Sequence, residues 1–132
     1  MHLILVQRDG TDLYTTLFSS ETSREILRFY RPEKTPYGVS VRVISLGAAL
    51  ALAAELRWYL KRYVALALFE MAPGRCCTLA CAHAIEQREV DPDRPPDRRL
   101  YICFQEGRPV VTEGPDGDLE VWALPGETIG ER

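Results

Sequence analysis

The sequence predicts a small α+β (mixed α/β) domain, on three observations. Val39, Val41 and Val43 alternate with Ser40 and Arg42 directly after Gly38, the period-two pattern of a strand. Apolar Leu46, Ala49, Leu50, Ala53, Leu56 and Leu60 then recur at helical spacing, while Glu55, Arg57 and Lys61 fall away from that face. Tyr63 to Phe69 is a nearly continuous apolar run that ends at Ala72-Pro73-Gly74. Such a run suits a strand buried on both faces, with a helix extension over 62–71 as the competing reading. Strand, helix and strand in succession make a βαβ unit with a right-handed crossover.

The flanking elements follow in order. Leu3–Val6 and Leu13–Phe18 lie either side of Asp9-Gly10, which predicts a β-hairpin because both turn residues tolerate positive φ. Thr22 and Glu25 have capping-box spacing, so a short helix over Ser23–Tyr30 is expected to bury Ile26, Leu27 and Tyr30. Pro32 and Pro36 end it in a loop, and Ser45 is placed to cap the central helix. Cys76 to Ile85 reads as a strand, although Ala80, Ala82 and Ala84 keep a helix open. Asp91 to Asp97 contains three prolines and can only be a loop. Leu100–Phe104, Pro109–Thr112 and Leu119–Ala123 read as three short antiparallel strands. The expected order is ββαβαβ followed by a β meander: a mixed sheet of about six to eight strands with two helices packed on one face. Residues 1–124 are expected to form a single domain, with 125–132 a frayed tail.

Composition narrows the class. In 132 residues, 46% hydrophobic and 27% charged, nothing points to disorder, repeats or low complexity. The longest clean apolar stretch, Ile44–Ala54, is too short to span a bilayer, which takes about 20 residues. The N-terminus shows no signal-peptide pattern, so a cytoplasmic protein without membrane contact is expected. Fourteen arginines against two lysines, with no asparagine, fit a GC-rich prokaryotic coding sequence, while the small size and lack of assembled chemistry would fit an adaptor or inhibitor carried by a mobile element. The net charge of −3 hides an asymmetry: residues 1–90 carry 11 basic and 9 acidic groups, and residues 91–132 carry 5 and 10. Such imbalance bears on partners rather than fold.

Candidate chemistry is sparse. Cys76, Cys77, Cys81 and His83, with Cys103 further on, contain metal-ligand types without metal-ligand spacing. On a strand Cys77 and Cys81 would stand about 13 Å apart; on a helix His83 would lie about 200° round from Cys81. Buried hydrophobic thiols are the better account. A metal centre at Cys77, Cys81, His83 and Cys103, or an enzyme using Cys81 or Cys103 with His83 or His2 as base, is the alternative. Ser45-Leu-Gly47 at a strand-to-helix junction could hold an anion, but an N-capping serine explains it. The acidic groups Asp91, Asp93, Asp97 and Asp116, Asp118, Glu120 read as solvated loops without an EF-hand ligand ladder. No cofactor is implied.

Two basic groups adjoin aromatics: Arg24, Arg28 and Arg31 beside Phe29 and Tyr30, and Arg57, Lys61 and Arg62 beside Trp58 and Tyr59. Arginine with aromatics serves single-stranded nucleic acid, through phosphate contact and stacking, and equally serves protein interfaces. The acidic chain favours the second. The expected function is a non-enzymatic protein-binding module (adaptor, accessory subunit or inhibitor) that docks on a larger partner or on itself. Its expected surface comprises Arg24, Arg28, Arg31 and Trp58, with the acidic segment Glu113, Asp116, Asp118 and Glu120.

Overall fold

The computed structural model describes residues 1–94, 99–106, 108–112 and 119–124. They form one small α+β domain around an eight-stranded mixed sheet. Strand β1 (His2–Gln7) leads to Asp9-Gly10, where the chain turns with Gly10 at φ +79°. The next segment is helix α1 (Leu13–Ser19), not the second strand of a hairpin. Asp12 decides this: its side chain accepts the Thr15 N–H at 3.2 Å and caps the helix. Leu13 and Leu17, four residues apart, then both point into the core.

Ser20 ends α1 and begins α2 (Glu21–Ile26) in one extended residue, φ −99° and ψ 130°, so the two helices meet at an elbow. The N-cap is thus Ser20, without a side-chain bond, and the Thr22/Glu25 capping box does not form. The helix is also shorter than expected. Ser23 and Leu27 are buried, Ile26 and Tyr30 only partly, and Phe29 is 87% exposed.

Pro32–Pro36 is not simply a loop. It contains β2 (Glu33–Thr35), which pairs antiparallel with β3 (Gly38–Arg42). Gly38 has φ +154°, and a Cβ there would collide with the Leu5 carbonyl of β1, so close approach demands glycine. Ser45 caps α3 (Leu46–Glu55), accepting the Ala48 N–H at 3.1 Å. The helix breaks at Leu56 and resumes as α4 (Arg57–Tyr63). Val64 then starts β4 (Val64–Ala72), so the apolar run is a strand except for Tyr63, which closes α4, and it is not buried on both faces throughout, since Ala65, Leu66 and Ala67 are only partly buried. Both β3 and β4 pair antiparallel with β1, which lies between them, and are therefore parallel to each other across it.

Cys76–Ile85 divides in two: β5 (Arg75–Thr78) and α5 (Leu79–Glu86). The Thr78 hydroxyl accepts the Cys81 N–H at 3.1 Å, a cap that converts strand to helix within one residue. Three further strands follow among the described residues, β6 (Arg99–Gln105), β7 (Arg108–Thr112) and β8 (Leu119–Trp122). β6 rather than β7 holds their centre, because β8 inserts between β6 and β5 and runs parallel to β5. The sheet order is β2-β3-β1-β4-β5-β8-β6-β7. The expected tail, 125–132, lies outside the described residues.

Strand alternation sorts the core into two. Leu3, Leu5, Val39, Val41, Phe69 and Trp122 face the helices, and all five described helices pack on that side, where two were expected. Ile4, Val6, Leu68, Cys76, Ile102 and Val121 face the other way into a second cluster built from strand residues. The sheet curls to cover it. Tyr37, from the β2–β3 turn near one end, stacks on Phe104 of β6 near the other, centroids 4.1 Å apart. Arg108 of β7 also reaches Asp9 at 3.3 Å. No helix among the described residues is long and apolar enough to cross a membrane.

Candidate protein-binding groove

The elbow between α1 and α2 stands beside α4, and an open groove of about 630 Å³ lies between them. One wall is aromatic: Trp58, Tyr59 and Tyr63 of α4. Trp58 meets Tyr59 edge-on at 5.0 Å and Tyr63 at 6.1 Å between centroids, and is itself 53% exposed. The Arg62 guanidinium lies over the Trp58 ring at 4.3 Å, a cation–π contact that helps hold the indole in place.

The other wall is a row of hydroxyls: Thr15, Thr16, Ser19, Ser20 and Thr22. Two of these donate to backbone within α1, Thr16 to the Asp12 carbonyl at 2.9 Å and Ser19 to the Thr15 carbonyl at 2.7 Å. Their protons are therefore committed, and each oxygen keeps acceptor capacity. Ser20 joins the walls, its Oγ lying 2.6 Å from the Tyr59 hydroxyl. That hydrogen bond holds the Tyr59 phenol below the usual tyrosine value. Glu55, at the end of α3, is the charged residue of the lining.

Of the residues expected to bind a partner, Trp58 lines this groove; Arg24, Arg28 and Arg31 do not. All three arginines are exposed, but α2 ends at Ile26, so they do not form a continuous helical stripe. Arg28 pairs with Glu25 at 3.2 Å and leans over Phe29 at 5.2 Å. Glu120 is half-buried on β8, within the sheet, and accepts the Trp122 indole N–H at 3.0 Å and the Tyr101 hydroxyl at 3.3 Å. Glu113, Asp116 and Asp118 lie outside the described residues.

Cys77 and Cys81 are buried in the helix-side core, His83 is exposed on α5, and Cys103 is partly buried on β6. Among the described residues, no three His, Cys, Asp or Glu side chains come together as a metal site would require. Register places His2, Glu70 and Cys76 in one row across β1, β4 and β5. The carboxylate, not the imidazole, occupies the middle, with His2 Nδ1 2.9 Å from Glu70 Oε1. Burial, with the Glu70 charge beside it, pushes the Cys76 thiol up to about 12. A thiol so placed stays protonated at neutral pH and is a poor nucleophile.

Sequence reasoning picked out Trp58 and Tyr59 as an aromatic pair next to cations. It missed Thr15, Thr16 and Ser19; a strand over 13–18 would have put Thr15 and Thr16 on opposite faces. The hydroxyl wall exists only because that segment is helical.

The fold and groove define a class: an α+β protein with a curled mixed sheet, helices on one face, and a side cleft between them. Residues 1–101 match a family of unknown function (DUF5804), and the chain belongs to that family. The match takes in both walls of the groove. No curated protein and no solved structure matches the chain.

Proposed function

We propose that this protein is a non-enzymatic protein-binding module, working in the cytoplasm as an adaptor, accessory subunit or inhibitor, and that the α1–α2/α4 groove is its docking site. One observation carries the reading: a half-exposed tryptophan is held by neighbouring rings and an arginine at the edge of a 630 Å³ cleft. Tryptophan, tyrosine and arginine dominate the energetics of protein interfaces, because they combine large contact area with directional polar groups. A rigid, pre-placed indole also loses little entropy on binding. Three buried thiols and a fourth partly buried suit a reducing compartment. Arg24, Arg28 and Arg31, exposed on α2 and just after it, add positive charge that would steer a partner.

The test compares what the protein captures from extracts of the cells that encode it. Wild type is set against Trp58→Ala and Thr16→Arg, which remove one wall and fill the other. Loss of the same protein from both groove variants, with Arg24→Ala/Arg28→Ala weakening its capture, is the expected result. Identical captured sets from wild type and both groove variants would dismiss the groove.

A further inference from the structure

We infer that the partner segment docking here is acidic, its carboxylates held by Arg57, Lys61 and Arg62 of α4 while an apolar side chain enters the groove across Trp58. This rests on the groove being the docking site and adds the chemistry of its occupant.

The helix sets the geometry. Arg57 and Lys61 stand four residues apart on one exposed strip of α4, and Trp58 and Arg62 on the next. About 100° separates the two strips, so they form a continuous surface. Tyr59 and Tyr63 follow one step further round, toward the groove. Trp58 is therefore a ridge between two hollows: the groove, and a depression of about 350 Å³ that it shares with Arg57 and Lys61.

The charge on that surface is positive and unspent. Among the described residues, none of the three cations is in an ion pair, whereas Arg28, Lys34 and Arg108 are taken up by Glu25, Asp12 and Asp9. Glu55 borders both hollows but pairs with neither Arg57 nor Lys61, one carboxylate against three cations. The hydroxyl wall both donates and accepts, so the sign of the occupant is decided at α4.

Arg62 is set to receive a carboxylate. Its guanidinium lies over the Trp58 ring at 4.3 Å. Stacking uses one face and leaves the in-plane N–H groups for a two-point bond to a carboxylate. A single-stranded nucleic acid also brings anions and stacks on tryptophan, but it needs a basic track, about 4–16 nucleotides long. Here the cations are confined to one seven-residue helix of a chain with net charge −3, and the depression beyond Thr22 is lined by Glu21 and Glu25. A short acidic peptide fits that footprint.

The experiment is an NMR titration of the full chain, following the Trp58 indole N–H, assigned through its loss in Trp58→Phe. Three capped seven-residue peptides in a glycine–serine background carry one leucine with two glutamates, two glutamines or two arginines. The glutamate peptide should move the Trp58 signal saturably, with the other two at least about tenfold weaker, since each exposed ion pair is worth up to about fivefold. Arg57→Glu/Lys61→Glu, at exposed positions, should invert the order and favour the arginine peptide, a reversal that misfolding would not produce. Glu55→Gln should tighten the glutamate peptide about twofold or more. Equal binding of the glutamine peptide, or an unchanged order in the double variant, overturns the charge claim and leaves the groove as a docking site. No response to any of the three overturns the inference outright, while the capture comparison still decides the groove. An eight-nucleotide oligothymidylate that binds at Trp58 more tightly than the glutamate peptide would also overturn it, by making nucleic acid the occupant.

Discussion

The Ser20 hydroxyl lies 2.6 Å from the Tyr59 hydroxyl, joining the elbow of α1 and α2 to α4 across 39 residues of sequence. Ser20 is also the residue at which the chain changes direction, so its backbone ends α1 and begins α2 while its side chain ties both to a third helix. Both residues line the groove, so that bond bridges its two walls.

Ser20→Ala should therefore cost about 1 kcal/mol of stability, read from urea denaturation, as expected for a hydrogen bond lost at a partly buried site. It should also raise the Tyr59 pKa, measured by NMR of ring-labelled tyrosine. In the native protein the phenol ionises below its ordinary value, chiefly because of Ser20. Its stabilising contribution is thus present above the unfolded value of about 10 and is lost as pH falls through the folded one. A Tyr59 titration unmoved by Ser20→Ala would show that the bond does not act in solution.

Ser23 is fully buried, and its hydroxyl donates to the Leu17 carbonyl, one of the free carbonyls at the end of α1. Ser23→Ala strands that carbonyl away from water and should destabilise the fold by about 1–3 kcal/mol. Denaturant midpoints at constant slope would measure it; a shift within error would mean that water or relaxation replaces the bond.

Gly38→Ala tests the sheet rather than the groove. Positive φ and the Leu5 carbonyl both oppose a methyl group there. A loss of at least about 2 kcal/mol is expected. Gly74, at φ +77° with open space around a Cβ, serves as control: alanine there should cost only the backbone strain, about 1 kcal/mol.

Cys76 supplies a pH prediction. Its folded pKa of about 12 lies above the ordinary thiol value of 9.0, through burial first and Glu70 second. The neutral thiol is the form the fold accepts. Stability from this group is intact below pH 9 and declines as pH rises from there toward 12. Native-state labelling at pH 8 should modify partly buried Cys103 first and leave Cys76 untouched until unfolding. Rapid labelling of Cys76 in folded protein would contradict the buried placement.

Local chemistry made much of this fold legible. The alternation of Val39 and Val41 and the Ser45 cap are contacts between near neighbours and took their expected form, whereas the strand stops at Arg42, before Val43, and the apolar face from Leu46 to Leu60 is shared by two helices that break at Leu56. Leu13–Phe18 was the failure. Asp9-Gly10 suggested a hairpin, but Asp12 and the four-residue spacing of Leu13 and Leu17 carried the stronger signal, a helix. Thr78 played the same part for Cys76–Ile85. In each case one capping side chain, reaching a backbone N–H three residues on, outweighed a run of β-compatible residues.

What the sequence determined by itself, then, was an α+β chain whose centre runs strand, helical segment, strand, because periodicity and capping act within a few residues; the break of that segment into α3 and α4 was not among its signals. Tertiary structure alone decided that β8 enters between β5 and β6, that the sheet curls until Tyr37 stacks on Phe104, and that Thr16 faces Trp58 across a groove. Those pairings join segments far apart in the chain. Their choice depends on which apolar faces bury each other best, a comparison made over the whole molecule and invisible in any short window.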